Sequence, residues 1–137
     1  FRGEIVEGRK YAVGVEVNFV GTDAAGCEWV FDVSGAFSSS RPGLQRTDTL
    51  WKALGKAAIL HAQYPDDERP CRYVLLTTDV PTPGSAGGKA LKAAKSSGLI
   101  WDVLKLDAPE TVAQLLHFAT GKRSDVPDLQ GSITAYT

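Results

Sequence analysis

Cysteine is scarce: only Cys27 and Cys71 occur in 137 residues, in different neighbourhoods. A disulfide framework needs more, so the chain reads as a protein of a reducing compartment and is expected in the cytoplasm. Histidine is equally scarce, His61 and His117 are far apart, and there is no C-x-x-C pair. A zinc site built on Cys and His is therefore not expected. No stretch approaches the roughly 18 apolar residues of a membrane helix. Phe1 to Lys10 alternates charge and lacks the apolar centre of a signal peptide. Charge of one sign is missing too, since 15 basic and 16 acidic residues leave a net charge of -1. Any nucleic-acid site must then be a local patch and not a global field. The chain begins at Phe1 and not Met, and is expected to be a domain of a longer protein.

What remains is ordinary for a globular domain: 43% hydrophobic and 23% charged residues. A chain of this length can bury about two-thirds of its unfolded surface in one core. We expect a single α/β domain over residues 1–121 and a polar, aperiodic tail or linker over 122–137.

Two segments alternate with a period of two. Tyr11, Val13, Val15, Val17 and Phe19 share one parity, as do Trp29, Phe31, Val33 and Phe37. Both predict strands, joined as a hairpin through the turn-like Gly21–Cys27. Ser38–Gly43 reads as a loop, and Thr47 or Asp48 caps a helix to about Gln63. Its expected apolar stripe is Leu50, Leu54, Ala57, Ala58 and His61. The continuous apolar run Tyr73–Leu76 predicts a strand covered on both faces. Ser85 starts a helix closed by Gly98, residues 99–106 form a strand, and Asp107 with Pro109 starts a last helix. On that helix Val112, Leu115, Leu116 and Ala119 are expected to be buried. The order predicts a mixed β-sheet, an N-terminal antiparallel hairpin followed by βαβα units.

The hairpin carries the chemistry. With the turn centred at Ala24, Glu16 falls opposite Asp32, both on the less apolar, even-numbered face. Two carboxylates about 5 Å apart across a ladder repel. A divalent cation with oxygen ligands between them removes the conflict. Asn18 and Ser34 lie one step along the same face. A register shift of two residues would separate the acids and keep the face. Acids on a strand face commonly point to solvent or pair with Lys or Arg. However, Trp29, Val30, Phe31 and Val33 make the second strand apolar on both sides. A lone acid there is costly without a partner.

An acid on one strand, a hairpin, an acid on the next strand, then a helix and further β–α–β resembles the PD-(D/E)XK, restriction-endonuclease-like nuclease family. The likeness covers roughly residues 10–106. Phe31-Asp32-Val33-Ser34-Gly35 corresponds to the family's acid-x-Lys strand and Glu16 to its first acid. Ser34 stands where the lysine belongs, and the family's preceding acidic helix is missing. Some members take the lysine from the following helix, which points to Lys52 first and Lys56 second. The resemblance implies Mg²⁺ held by Glu16 and Asp32, with Lys52 orienting water or neutralising charge. The reaction would be hydrolysis of DNA phosphodiesters in a restriction or repair system, and two-stranded cutting would require pairing of domains, as in a homodimer. If no lysine reaches the acids, the same scaffold would be a catalytically inactive DNA-binding or assembly module.

Local charge is consistent with a phosphate partner. Between Arg41 and Lys56, four basic residues (Arg41, Arg46, Lys52 and Lys56) face one acid, Asp48. Hydroxyls of Ser38–Ser40 and the bare backbone at Gly43 add groups that contact a DNA backbone. Lys89, Lys92 and Lys95 form a second basic stripe, read as a solvated helix face. Pro83–Lys89 resembles a phosphate loop but misses its spacing, with Pro83 at the first glycine position and Ala90 where Ser or Thr is required. It leaves a nucleotide-binding α/β domain as a further alternative. His61 is expected to pack in the core and His117 to be exposed.

Overall fold

Strand order in the sheet follows chain order. The computed structural model describes residues 1–34, 47–63 and 72–121, and of residues 2–7, 47 and 63 it describes the backbone only. Strands β1 (Arg2–Lys10), β2 (Glu16–Thr22) and β3 (Glu28–Ser34) pair antiparallel, and β4 (Arg72–Thr77) and β5 (Asp102–Lys105) continue in parallel. Helix α1 (Thr47–Gln63) connects β3 to β4, α2 (Ala86–Ser96) connects β4 to β5, and α3 (Pro109–Ala119) follows β5. This is an α/β fold with a mixed sheet. Its antiparallel part is a three-stranded meander, not the expected hairpin, because the charged segment ahead of Tyr11 is itself a strand.

The first connection occupies part of the expected strand. The N–H of Tyr11 donates to the carbonyl of Val15 and that of Gly14 to the carbonyl of Tyr11 (both 2.8 Å), so β2 starts only at Glu16. Tyr11 is buried, and its hydroxyl donates to Glu28 at 3.3 Å. The second connection is shaped by Asp23. Its N–H donates to the carbonyl of Cys27, closing a loop centred on Ala25, with Gly26 at a φ of 88°. Its Oδ1 accepts the N–H groups of Ala25 and Cys27, and its Oδ2 accepts the indole N–H of Trp29 at 2.8 Å. This buried carboxylate thus satisfies three donors at the turn.

Alternation divides β3 between two faces. Val30 and Asp32 point toward α1, whereas Trp29 stacks on Phe118 of α3, with centroids 4.5 Å apart. On that second face the Arg72 guanidinium lies between Trp29 and Trp101, 4.8 and 4.6 Å from their ring centroids. Helices α1 and α2 pack together on the first face, where Gly87 lies against Leu50. Val30, Val74, Leu75, Leu91 and Val103 form the centre of the core. Each such buried aliphatic side chain contributes about 1.5–3 kcal/mol.

Helix phases differ from the sequence reading in detail. In α1 the buried residues are Leu50, Ala53, Leu54, Ala57 and Leu60, while Ala58 and His61 are exposed. In α3 Thr111, Gln114 and Phe118 are buried. Val112 and Leu116 are instead 65% and 67% exposed. The helix is rotated because the Thr111 hydroxyl donates to the carbonyl of Lys105, turning polar positions inward. Val112 and Leu116 border an apolar groove of about 420 Å³, floored by Phe19, Phe31 and Leu76.

Candidate functional site

The N-terminal half of β2 and the middle of α1 enclose a cleft of about 520 Å³, lined by Glu16, Asn18, Lys52 and Lys56 together with Gly8 and Gly14. It lies beside the carboxyl end of β3, the edge where open α/β sheets commonly bind ligands. Lys52 and Lys56 face it together because they are one helical turn apart, on a side of α1 away from Leu50, Leu54 and Ala57.

Asp32 lies behind Lys56. The lysine Nζ is 3.5 Å from Oδ2, and the Tyr73 hydroxyl of the neighbouring strand donates to the same oxygen at 2.9 Å. Only 2% of Asp32 is exposed, and its Oδ1 is buried with no hydrogen-bond partner among the described residues. Burial, followed by the charge of Asp32 and their hydrogen bond, pushes the Tyr73 hydroxyl far above the ordinary tyrosine range. Tyr73 therefore stays a neutral donor.

Glu16 does not stand opposite Asp32. The observed register pairs Phe19 with Phe31 and Val20 with Val30, two residues away from the arrangement centred on Ala24. Continued one step, it sets Asn18 across from Asp32, and the Asn18 Oδ1 accepts the N–H of Val33 at 2.8 Å. Glu16 is exposed, pairs in the ladder with Lys10, and becomes a diagonal neighbour of Asp32. Diagonal positions are about 7–8 Å apart, against about 5 Å for direct partners. The physical reason is the loop centre at Ala25.

Glu16, Lys52 and Lys56 thus share one cleft, and Asp32 joins it through Lys56. Arg41 and Arg46 lie outside the described residues. Among the described residues, no group of three or more His, Cys, Asp or Glu side chains converges as a metal site. Tyr73 was missed by the sequence reading, because its apolar run marks only a buried strand.

The remaining motifs acquire structural roles. The Ser85 hydroxyl caps α2 by accepting the N–H of Gly88 at 3.1 Å. A Cβ on Gly88 would collide with the carbonyls of Thr82 and Pro83, which accounts for a glycine there. Lys89 and Lys92 are exposed, but Lys95 is not part of a solvated stripe. Its Nζ lies 3.3 Å from the buried Asp102. Burial raises the Asp102 pKa although Lys95 opposes the shift. His117 is half-buried and not exposed. Among the described residues no helix is long and apolar enough to cross a membrane.

Comparison with protein-family models, curated proteins and solved structures found no match.

Proposed function

We propose that this is a metal-dependent nuclease domain of restriction-endonuclease-like architecture, hydrolysing DNA phosphodiesters in a restriction or repair system. The observation that carries the reading is Lys56. The acid strand has Ser34 at the motif-lysine position, and a lysine from the following helix sits 3.5 Å from Asp32. The meander, helix and parallel strands agree with that scaffold.

The donor set fits a hard cation. Mg²⁺ commonly takes one or two carboxylates and completes its shell with water and phosphate oxygens. The buried, unpartnered Oδ1 of Asp32 and the exposed Glu16 are the residues that would hold it. Such an ion supplies a more acidic bound water and polarises the phosphoryl oxygens. Lys52 and Lys56 would offset phosphate charge in the cleft, and Arg41 and Arg46 would grip the DNA backbone. Two-stranded cutting would require a homodimer.

A second reading, a catalytically inactive DNA-binding or assembly module, is favoured by the diagonal offset of Glu16. The test is cleavage of supercoiled plasmid with and without Mg²⁺. The nuclease reading expects Mg²⁺-dependent nicking that Asp32→Ala abolishes. DNA binding lost on combined substitution of Lys52 and Lys56, without cleavage under any condition, would replace it with the second.

A further inference from the structure

The two oxygens of Asp32 are treated unequally. Oδ2 receives the Tyr73 hydroxyl at 2.9 Å and faces the Lys56 ammonium at 3.5 Å. Oδ1 has no partner among the described residues, although it is buried. Tyr73 is itself buried on β4, directly beside Val30 in the parallel ladder, so its ring cannot leave without opening the core. The hydroxyl therefore comes from a rigid element, whereas Lys56 sits on a long, partly exposed side chain that can turn away. A carboxylate held by one fixed donor cannot rotate freely, and its other oxygen keeps one direction.

We propose that Tyr73 is a positioning residue: its hydroxyl locks Asp32 through Oδ2 so that Oδ1 is presented to a divalent cation. The proposal rests on the nuclease reading and adds to it a residue on a third strand, outside the acid-x-Lys pattern. Groups that hydrogen-bond a ligating carboxylate orient it, and removing them weakens metal affinity on the order of tenfold or more.

The experiment is titration with Mn²⁺ alone, followed by electron paramagnetic resonance, on unaltered protein and Tyr73→Phe. That substitution removes one oxygen and keeps the ring. Circular dichroism and the thermal midpoint report whether the fold is retained. The expected result is a retained fold, Mn²⁺ binding weakened on the order of tenfold, and plasmid cleavage restored by raising Mn²⁺. Equal or tighter Mn²⁺ binding by Tyr73→Phe would overturn the positioning role and leave the nuclease reading standing. A loss of affinity matched by a loss of folded structure would also overturn it, making the hydroxyl structural. No Mn²⁺ binding by the unaltered protein would overturn both.

Discussion

The Nζ of Lys56 lies 3.5 Å from Oδ2 of Asp32, so a helix side chain neutralises a carboxylate buried in the middle of the sheet. Lys52, one turn earlier, lines the same cleft. The two lysines should respond differently to substitution. Lys56→Gln is expected to lower stability by about 1–2 kcal/mol, because it leaves a buried charge with a single partner. Lys52→Gln should change stability by less than about 0.5 kcal/mol. Urea unfolding of both variants separates them, and equal losses would show that the Lys56 pair contributes nothing.

Asp23 should give the fold a pH-dependent support. Burial opposes its charge, but the indole of Trp29 and the N–H groups of Cys27 and Ala25, with Arg72 nearby, bring its pKa below the ordinary value. The folded state therefore binds its proton less readily than the unfolded chain. This contribution is present above the unfolded pKa of about 3.9 and is lost as pH falls through the lower folded value. Asp23→Asn should cost about 1–3 kcal/mol at pH 7. Denaturant unfolding across pH 7 to 3 should show the gap between the two proteins closing below about pH 4.

Gly88, in the first turn of α2, and Gly84, in the loop before it, offer a contrast. A Cβ at Gly88 would lie 2.8 Å from the Pro83 carbonyl oxygen and closer still to that of Thr82, whereas Gly84 has open space. Gly88→Ala should destabilise by about 1–3 kcal/mol despite the better helix propensity of alanine. Gly84→Ala should stay within about 0.5 kcal/mol. Thermal unfolding decides whether the glycine serves packing.

On α3, burial and not hydrophobicity should govern the response. Phe118→Ala removes the ring stacked on Trp29 and should cost about 3–5 kcal/mol. Leu116→Ala should cost less than about 0.5 kcal/mol. A large loss at Leu116 would mean that something covers the groove in solution.

The helices were readable because their signals are local. Thr47 to Gln63, the Ser85 cap and the Pro109 start each follow from capping and periodicity within one segment. The face shared by Glu16, Asn18 and Asp32 was readable for the same reason, since alternation specifies a face. Register was not, because it depends on the loop centre, and that is set by the hydrogen bonds of Asp23. The first strand stayed hidden because Glu4, Glu7, Arg9 and Lys10 give it the charge of a sheet edge and not a core. Tyr73 was invisible because nothing along the chain links it to Asp32, 41 residues earlier. The phase of α3 depended on a hydroxyl reaching back to Lys105, a tie that hydrophobic patterning does not record.

Because each strand pairs with its predecessor in the chain, synthesis on the ribosome can build the sheet from one end to the other without waiting for a distant segment. The meander is complete before the first helix is translated. The backbone bond from the Ala24 N–H to the carbonyl of Ala119 breaks this pattern, joining an early turn to the last helix at 2.8 Å. A nascent chain halted before Pro109 would lack the Phe118 ring on Trp29 and the α3 wall over Phe31, leaving extra apolar surface for chaperones to recognise until α3 emerges.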